Sequence, residues 1–148
     1  MALDRKYIGL EMGPFEATLE KGQMELFAKA FGERNSIYSD EEKARSEGFR
    51  SIVALPTYLI RLGSREDLTY GMFSKLGINV ANLLHGEQEF KLAKTVCAGD
   101  TLVGTKVITD IYDKKGGALD FLVTETSYRD ELGEFVGSDC CTFIIRNS

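Results

Sequence analysis

Apolar and polar positions follow two rhythms along this chain, and the change of rhythm divides it. Over residues 14–20, Pro-Phe-Glu-Ala-Thr-Leu-Glu alternates with a period of two, which predicts a short strand. Met24, Phe27, Ala28 and Phe31 then recur at i, i+3, i+4 and i+7, the spacing of a helix with one packed face over 21–31. Gly32 is placed to end that helix. Residues 33–50 are polar and charged, with a short helix predicted over 40–47 between a capping Asp40 and a terminating Gly48. A connection of this length in a small domain is expected to cover a site.

An apolar run, Ser51 to Leu55, leads into Pro56, and proline favours the first position of a helix. Thr57 to Leu62 therefore reads as a helix, apolar on most of its circumference and so buried, closed by Gly63. Residues 64–76 read as further helix, with Leu68, Tyr70, Met72, Phe73 and Leu76 apolar and Gly71 interrupting. Beyond Gly77 the chain turns to Val, Ile, Thr, Phe and Tyr. Strands are predicted over 82–93, 101–112, 118–128 and 134–145, separated by turns rich in Gly and Asp. In the third of these, Leu119, Phe121 and Val123 make one face wholly apolar. Strand, helix, loop, buried helix and a four-strand antiparallel meander is an α+β order, with the helix on one face of the sheet. No repeat or linker interrupts it, so residues 1–148 are read as one domain.

Composition narrows the partners. Lys and Arg number 18 against 23 Asp and Glu, a formal charge of −5 with no basic cluster, which argues against nucleic acid and anionic membranes. No apolar run approaches the ~20 residues that span a bilayer. The first residues lack the apolar core of a signal peptide, so a cytoplasmic location is expected. The three cysteines, Cys97, Cys140 and Cys141, include no C-x-x-C pair, and there is one histidine, His85. Neither a metal nor a cofactor is expected. The cysteines read as small buried hydrophobes, the alternative being a nucleophilic pair of Cys97 or Cys141 with His85.

Candidate chemistry concentrates in the turn after the first helix, where Glu33, Asn35 and Tyr38 bring a carboxylate, a carboxamide and a phenol within six residues. Leu26 to Asp40 resembles the hydratase motif of the MaoC-like (R)-specific enoyl-CoA hydratases and dehydratases. In that family a helix ends in Gly-Asp-x-Asn-Pro-aliphatic-His, and here the matching residues are Gly32, Glu33, Arg34, Asn35, Ser36, Ile37 and Tyr38. Leu55-Pro56-Thr57-Tyr58 is similar to the N-terminal, non-catalytic type of repeat in the family. So is Leu84-His85-Gly86-Glu87-Gln88-Glu89-Phe90, followed by Ala98-Gly99-Asp100-Thr101-Leu102. The resemblance covers the chain from about Tyr7 onward and implies a hot-dog fold: a curved antiparallel sheet wrapped around a buried helix, with an overhanging loop.

In the family, the motif's Asp and His and a backbone N–H at the start of the buried helix activate water and stabilise the enolate. Here Tyr38 holds the histidine position, and a phenol, titrating near ~10, is a poor base at neutral pH. Glu33 moves the acid one methylene outward, and Pro56 has no N–H to donate. The pattern resembles the substrate-binding half of paired dehydratases. It implies a subunit of a 3-hydroxyacyl-thioester dehydratase or (R)-specific enoyl hydratase. Such a subunit binds an acyl-CoA or acyl-carrier-protein thioester and pairs with a catalytic hot-dog subunit or with itself. The positions so implied are Glu33, Asn35, Tyr38 and His85 for chemistry, and Phe31, Leu55, Pro56, Thr57 and Tyr58 for substrate. Two alternatives stand beside it: a self-sufficient homodimeric hydratase or thioesterase using Glu33 or His85, and a non-enzymatic acyl-binding module.

Each residue also has a plain reading. Glu33 is a surface carboxylate paired with Arg34, and Asn35 bonds its own turn. His85 is a hydrogen-bonded residue at a subunit contact, unless Glu87 or Glu89 favours its charged form and poises it as a base. Phe27, Phe31, Phe49, Tyr58, Tyr70, Met72 and Phe73 are core or an acyl tunnel. Independently of any resemblance, a strand over 82–90 at the rim of the sheet needs covering by a second domain.

Overall fold

A computed structural model describes residues 3–147 of the chain. Its strands are β1 (Glu11–Thr18), β2 (Leu83–Leu92), β3 (Thr101–Lys114), β4 (Leu119–Arg129) and β5 (Phe135–Arg146). They form one antiparallel sheet in the order β1-β3-β4-β5-β2. With helices on one face, this is the α+β hot-dog fold.

The last four strands are not the expected meander. β2 pairs with β5, so β1 and β2 are the two edges and the chain must cross between β2 and β3. The crossing is held by the lead-in to the central helix. Ala54 N donates to Val96 O at 2.9 Å, Ala98 N donates to Ile52 O at 3.0 Å, and Val53 bridges Cys97. Ala98-Gly99-Asp100 is a turn as its composition requires, but it ends this crossing instead of closing a hairpin.

Helix α1 (Lys21–Ala30) buries Met24 and Ala28 and half-buries Phe27, as its periodicity requires. Phe31, grouped with that face in the sequence, lies 65% exposed, its ring 4.6 Å from that of Phe27. Asp40 caps α2 (Glu41–Ser46), accepting from Lys43 N at 3.0 Å, which satisfies one of the helix's free donors. The central helix starts with a 3-10 turn at Pro56–Tyr58, continues as α3 (Leu59–Gly63) and resumes as α4 (Glu66–Lys75). The interruption falls at Ser64 and Arg65, and Gly71 sits inside α4 without breaking it. Buried Met72 and Phe73 beside Gly71 hold that helix by packing, at about 1.5–3 kcal/mol per fully buried side chain.

β4 corrects a second expectation. Its wholly apolar face, Leu119, Phe121 and Val123, points away from the central helix, where Phe121 stacks on Tyr112 with centroids 4.8 Å apart. The helix side carries Leu122, Thr124, Thr126 and Tyr128, all essentially inaccessible.

The interior under the helix is consequently two apolar clusters with a polar belt between them. One cluster holds Phe15, Tyr58, Leu59, Leu102 and Tyr128, and the other holds Met72, Phe73, Ile108, Leu122 and Ile145. Between them a cross-strand row runs through all five strands: Met12, Lys106, Thr126, Asp139 and Phe90. Lys106 and Asp139 are each 4% exposed. The break in the central helix lies over this belt. Gly63 would place a Cβ within 3.2 Å of Thr126 Oγ1, and Thr69 of α4 takes the Lys106 ammonium at 3.4 Å.

Candidate functional site

The turn after α1 is built from backbone hydrogen bonds first. Gly32 N donates to Lys29 O and Glu33 N to Ala28 O, both at 3.0 Å, and Gly32 adopts φ +68°. This is a Schellman ending, in which glycine takes a left-handed conformation that a Cβ would disfavour. The ending projects Glu33 out of the helix. Its Oε1 then accepts from Arg34 N and Asn35 N, both at 2.8 Å. No ion pair to Arg34 is present among the described side chains. The carboxylate organises its own loop, which the sequence reading did not anticipate.

Asn35 behaves as expected: its Oδ1 accepts from Ile37 N at 3.2 Å and caps a 3-10 turn, Ser36–Tyr38. Ile37 is buried with Ala44, Val53 and Cys97, and half-buried Tyr38 packs against that cluster. Val53 N donates to Ile37 O at 3.0 Å. The turn is therefore tied to the strip that leads into the central helix.

That strip carries Leu55 to Tyr58. Leu55 and Thr57 are half-buried, Pro56 is exposed and Tyr58 is buried. Tyr58 meets Phe27 edge-on at 5.1 Å, and Phe27 meets Phe31, so an aromatic chain joins the helix start to the end of α1. Burial raises the Tyr58 phenol above its ordinary range. Pro56 has no N–H, and the N–H of Tyr58 is taken by Leu55 O at 2.8 Å.

His85 belongs to different surroundings. A bulge in β2 lets Gly86 and Glu87 occupy one step of the ladder, so that His85 faces Phe143 and Gln88 faces Cys141. Glycine fits closely there: a Cβ would lie 3.0 Å from Thr142 O and 2.9 Å from Ile144 Cδ1, so Ile144 would have to give way to a larger residue. The bulge turns Glu87 outward and Gln88 inward. His85 Nε2 stands 3.2 Å from Gln88 Oε1 and 3.1 Å from Cys141 Sγ. The partner of the imidazole is thus a carboxamide, and Glu89 pairs instead with Lys91 at 3.5 Å. Of the two Cys–His pairings open to the sequence, the one with Cys141 occurs. Cys97 is packed in the Ile37 cluster. Burial pushes the Cys141 thiol up to about 12, which keeps it protonated and a poor nucleophile.

The structure thus gathers Glu33, Asn35 and Tyr38 into one turn, links Phe31 to Tyr58 through Phe27, and gives His85 a separate set of partners. Two cavities, of about 570 and 250 Å³, are lined neither by residues 31–38 nor by His85. The first lies between residues 3–7, the end of α4 and the start of β4, and the second beside Lys94 and Asp130. Among the described residues no group of three or more His, Cys, Asp or Glu side chains is placed to hold a metal ion. No described helix is long and apolar enough to cross a membrane.

Lys106, Tyr128 and Asp139 were not singled out from the sequence. The signal was there: Leu102, Gly104, Lys106 and Ile108 alternate on one face of β3, so a core face containing Leu102 and Ile108 must contain Lys106.

Comparison with known proteins agrees with this architecture. Residues 6–138 match the family described as FAS1-like, dehydratase domain region. A UPF0336 protein of Streptomyces coelicolor is 33% identical, over 92% of this chain and 90% of its own. The chain belongs to that FAS1-like dehydratase family. Among solved structures it is similar to the Mycobacterium tuberculosis HadBC (3R-hydroxyacyl-ACP dehydratase) complex, with TM-score 0.80 and 24% identity over 93% of this chain and 96% of that one. It is also similar to a MaoC-like dehydratase from Phytophthora capsici, with TM-score 0.76 and 24% identity over 99% of this chain and 50% of that one. At these identities the likeness establishes the MaoC-type hot-dog fold.

Proposed function

We propose that this chain is the acyl-thioester-binding subunit of a cytoplasmic hot-dog 3-hydroxyacyl-thioester dehydratase, a single domain of the N-terminal, non-catalytic type. A partner hot-dog subunit supplies the Asp and His chemistry. One observation carries the reading: at the motif's acidic position, Glu33 Oε1 is committed to the N–H groups of Arg34 and Asn35, and a phenol stands where the imidazole belongs. With Oε1 holding its own loop, only Oε2 of this exposed carboxylate is left to take a proton from water, and no imidazole stands beside it. Two further findings support it. Edge strand β2 is open for pairing, and the Phytophthora relative in fold is twice as long, as a chain carrying both halves would be.

The substrate-side residues of this reading are Phe31, Leu55, Pro56, Thr57 and Tyr58, which border the aromatic chain between α1 and the helix start. The carrier is coenzyme A or an acyl-carrier protein. The test is to incubate the pure chain with an enoyl-CoA, following enoyl absorbance and thiol release. The expected result is saturable binding with neither signal, and hydration only after a hot-dog subunit with intact Asp and His is added. Turnover by the chain alone, abolished in Glu33→Gln or His85→Ala, would establish a self-sufficient enzyme instead. The contact between His85 and Cys141 is the one feature favouring that second reading, and the protonated, buried thiol weighs against it.

A further inference from the structure

The polar belt under the central helix holds a hydrogen-bond arrangement that determines a protonation state. Tyr128, with 0% exposure, places its hydroxyl 2.8 Å from Leu59 O and 2.8 Å from Asp139 Oδ2. A phenol has one hydrogen, a backbone carbonyl only accepts, and an ionised carboxylate only accepts. With Asp139 ionised, two acceptors compete for one donor, and one buried contact is left without its hydrogen. With Asp139 protonated the chain closes: the acid donates to the phenol oxygen and the phenol donates to Leu59 O.

The surroundings favour the neutral form. Asp139 is withdrawn from water, and burial pushes its carboxyl above the usual range, against the opposing pull of Tyr128, Lys106, Gln88 and Thr126. Lys106, the nearby cation on β3, forms no ion pair among the described residues. Its hydrogen-bond partner is the Thr69 hydroxyl at 3.4 Å. The titratable groups facing Asp139 are Lys106 from β3, Tyr128 from β4 and Cys141 along β5, with His85 of β2 one contact further, beyond Cys141. The central helix contributes Leu59, Gly63 and Thr69 to this region, and none of these titrates.

We infer that Asp139 is a neutral carboxylic acid at neutral pH and that, acting through Tyr128, it is a positioning residue for the start of the central helix. Leu59 directly follows Leu55 to Tyr58, so the register of the binding strip over the sheet is fixed by this relay. The link from the relay to thioester binding rests on the function proposed above, whereas the relay itself does not.

The test is therefore made without substrate. Infrared difference spectra of the wild-type chain against Asp139→Asn at neutral pH should show a protonated-carboxyl C=O stretch lost in the variant. Loss of carboxylate bands alone overturns the inference. Amide hydrogen exchange over residues 59–63 should accelerate about fivefold in Tyr128→Phe and in Asp139→Leu, the effect of one lost hydrogen bond. It should return to the wild-type rate in Asp139→Asn, whose amide can still donate. Should Asp139→Leu not fold, Tyr128→Phe carries the same comparison. Unchanged exchange in Tyr128→Phe overturns the positioning role. If the relay behaves as expected and yet no acyl-CoA binds the wild-type chain, the proposed function fails and the relay stands.

Discussion

Gly63 passes so close over Tyr128 that a methyl group on it would lie 2.6 Å from the phenol oxygen. The approach lets α3 settle onto the sheet while Tyr128 reaches past it to Leu59 O. Gly63→Ala should therefore destabilise the fold by about 1–3 kcal/mol through overpacking, against the small gain in helix propensity that alanine normally brings. Urea unfolding of the two proteins measures the difference, and a more stable variant would contradict the contact.

The turn that looks catalytic is expected to respond to mutation as a structural element. Glu33→Ala removes an acceptor shared by two backbone N–H groups, and Asn35→Ala removes a cap. Each should cost about 1 kcal/mol of stability. Glu33→Gln, which keeps the acceptor oxygen, should cost less. Thermal melts of the three variants rank them.

Lys106 gives stability a slope on the alkaline side. Burial holds its ammonium below the ordinary lysine range, so the folded chain binds fewer protons than the unfolded chain between the depressed value and the ordinary one. Stability from this group therefore rises as pH climbs through that window. Lys106→Met should remove that rise and, by replacing a buried cation with an apolar chain of similar length, leave the protein at least as stable at neutral pH. Unfolding midpoints at several alkaline pH values would show the flattened profile.

Asp139 contributes the opposite slope. Its carboxyl is raised in the folded state, so the stability it contributes is full below the ordinary aspartate value and falls as pH rises toward the folded-state value. Asp139→Asn should lose this decline. The comparison calls for the same unfolding series carried from the acid range up through neutral pH.

Thiol chemistry separates the three cysteines. Cys140 is half-buried, while Cys97 and Cys141 are buried. An alkylating reagent at neutral pH should modify Cys140 first and Cys141 only at the rate of unfolding, read by mass spectrometry of peptides. Fast labelling of Cys141 would revive a nucleophilic Cys–His pair.

Much of this architecture was legible in the chain. The helix with Gly32 at its end, the cap at Asp40, the helix opened by Pro56 and the five strands all follow from local rules of period, capping and turn chemistry. What escaped were features set by pairing across distance. β2 pairs with β5 because residues 96–98 bond to 52–54, and no turn signal encodes that crossing. The inward face of β4 is the one with threonines, because the belt of Lys106 and Asp139 on neighbouring strands accepts polar companions there. At the site, the residue types of the turn were plain, but the direction of the Glu33 carboxylate depends on the Schellman ending that aims it. The partners of His85 depend on one bulge residue, which reverses which of Glu87 and Gln88 looks inward.

That same irregularity at Gly86 bears on which chains the open rim of the sheet can accept. A straight rim strand is a template on which copy after copy can stack, whereas a strand bent at one step admits a mate whose own contour answers the bend and refuses the rest. The kink that turns Gln88 inward beside His85 would then also limit the number of chains that can join there.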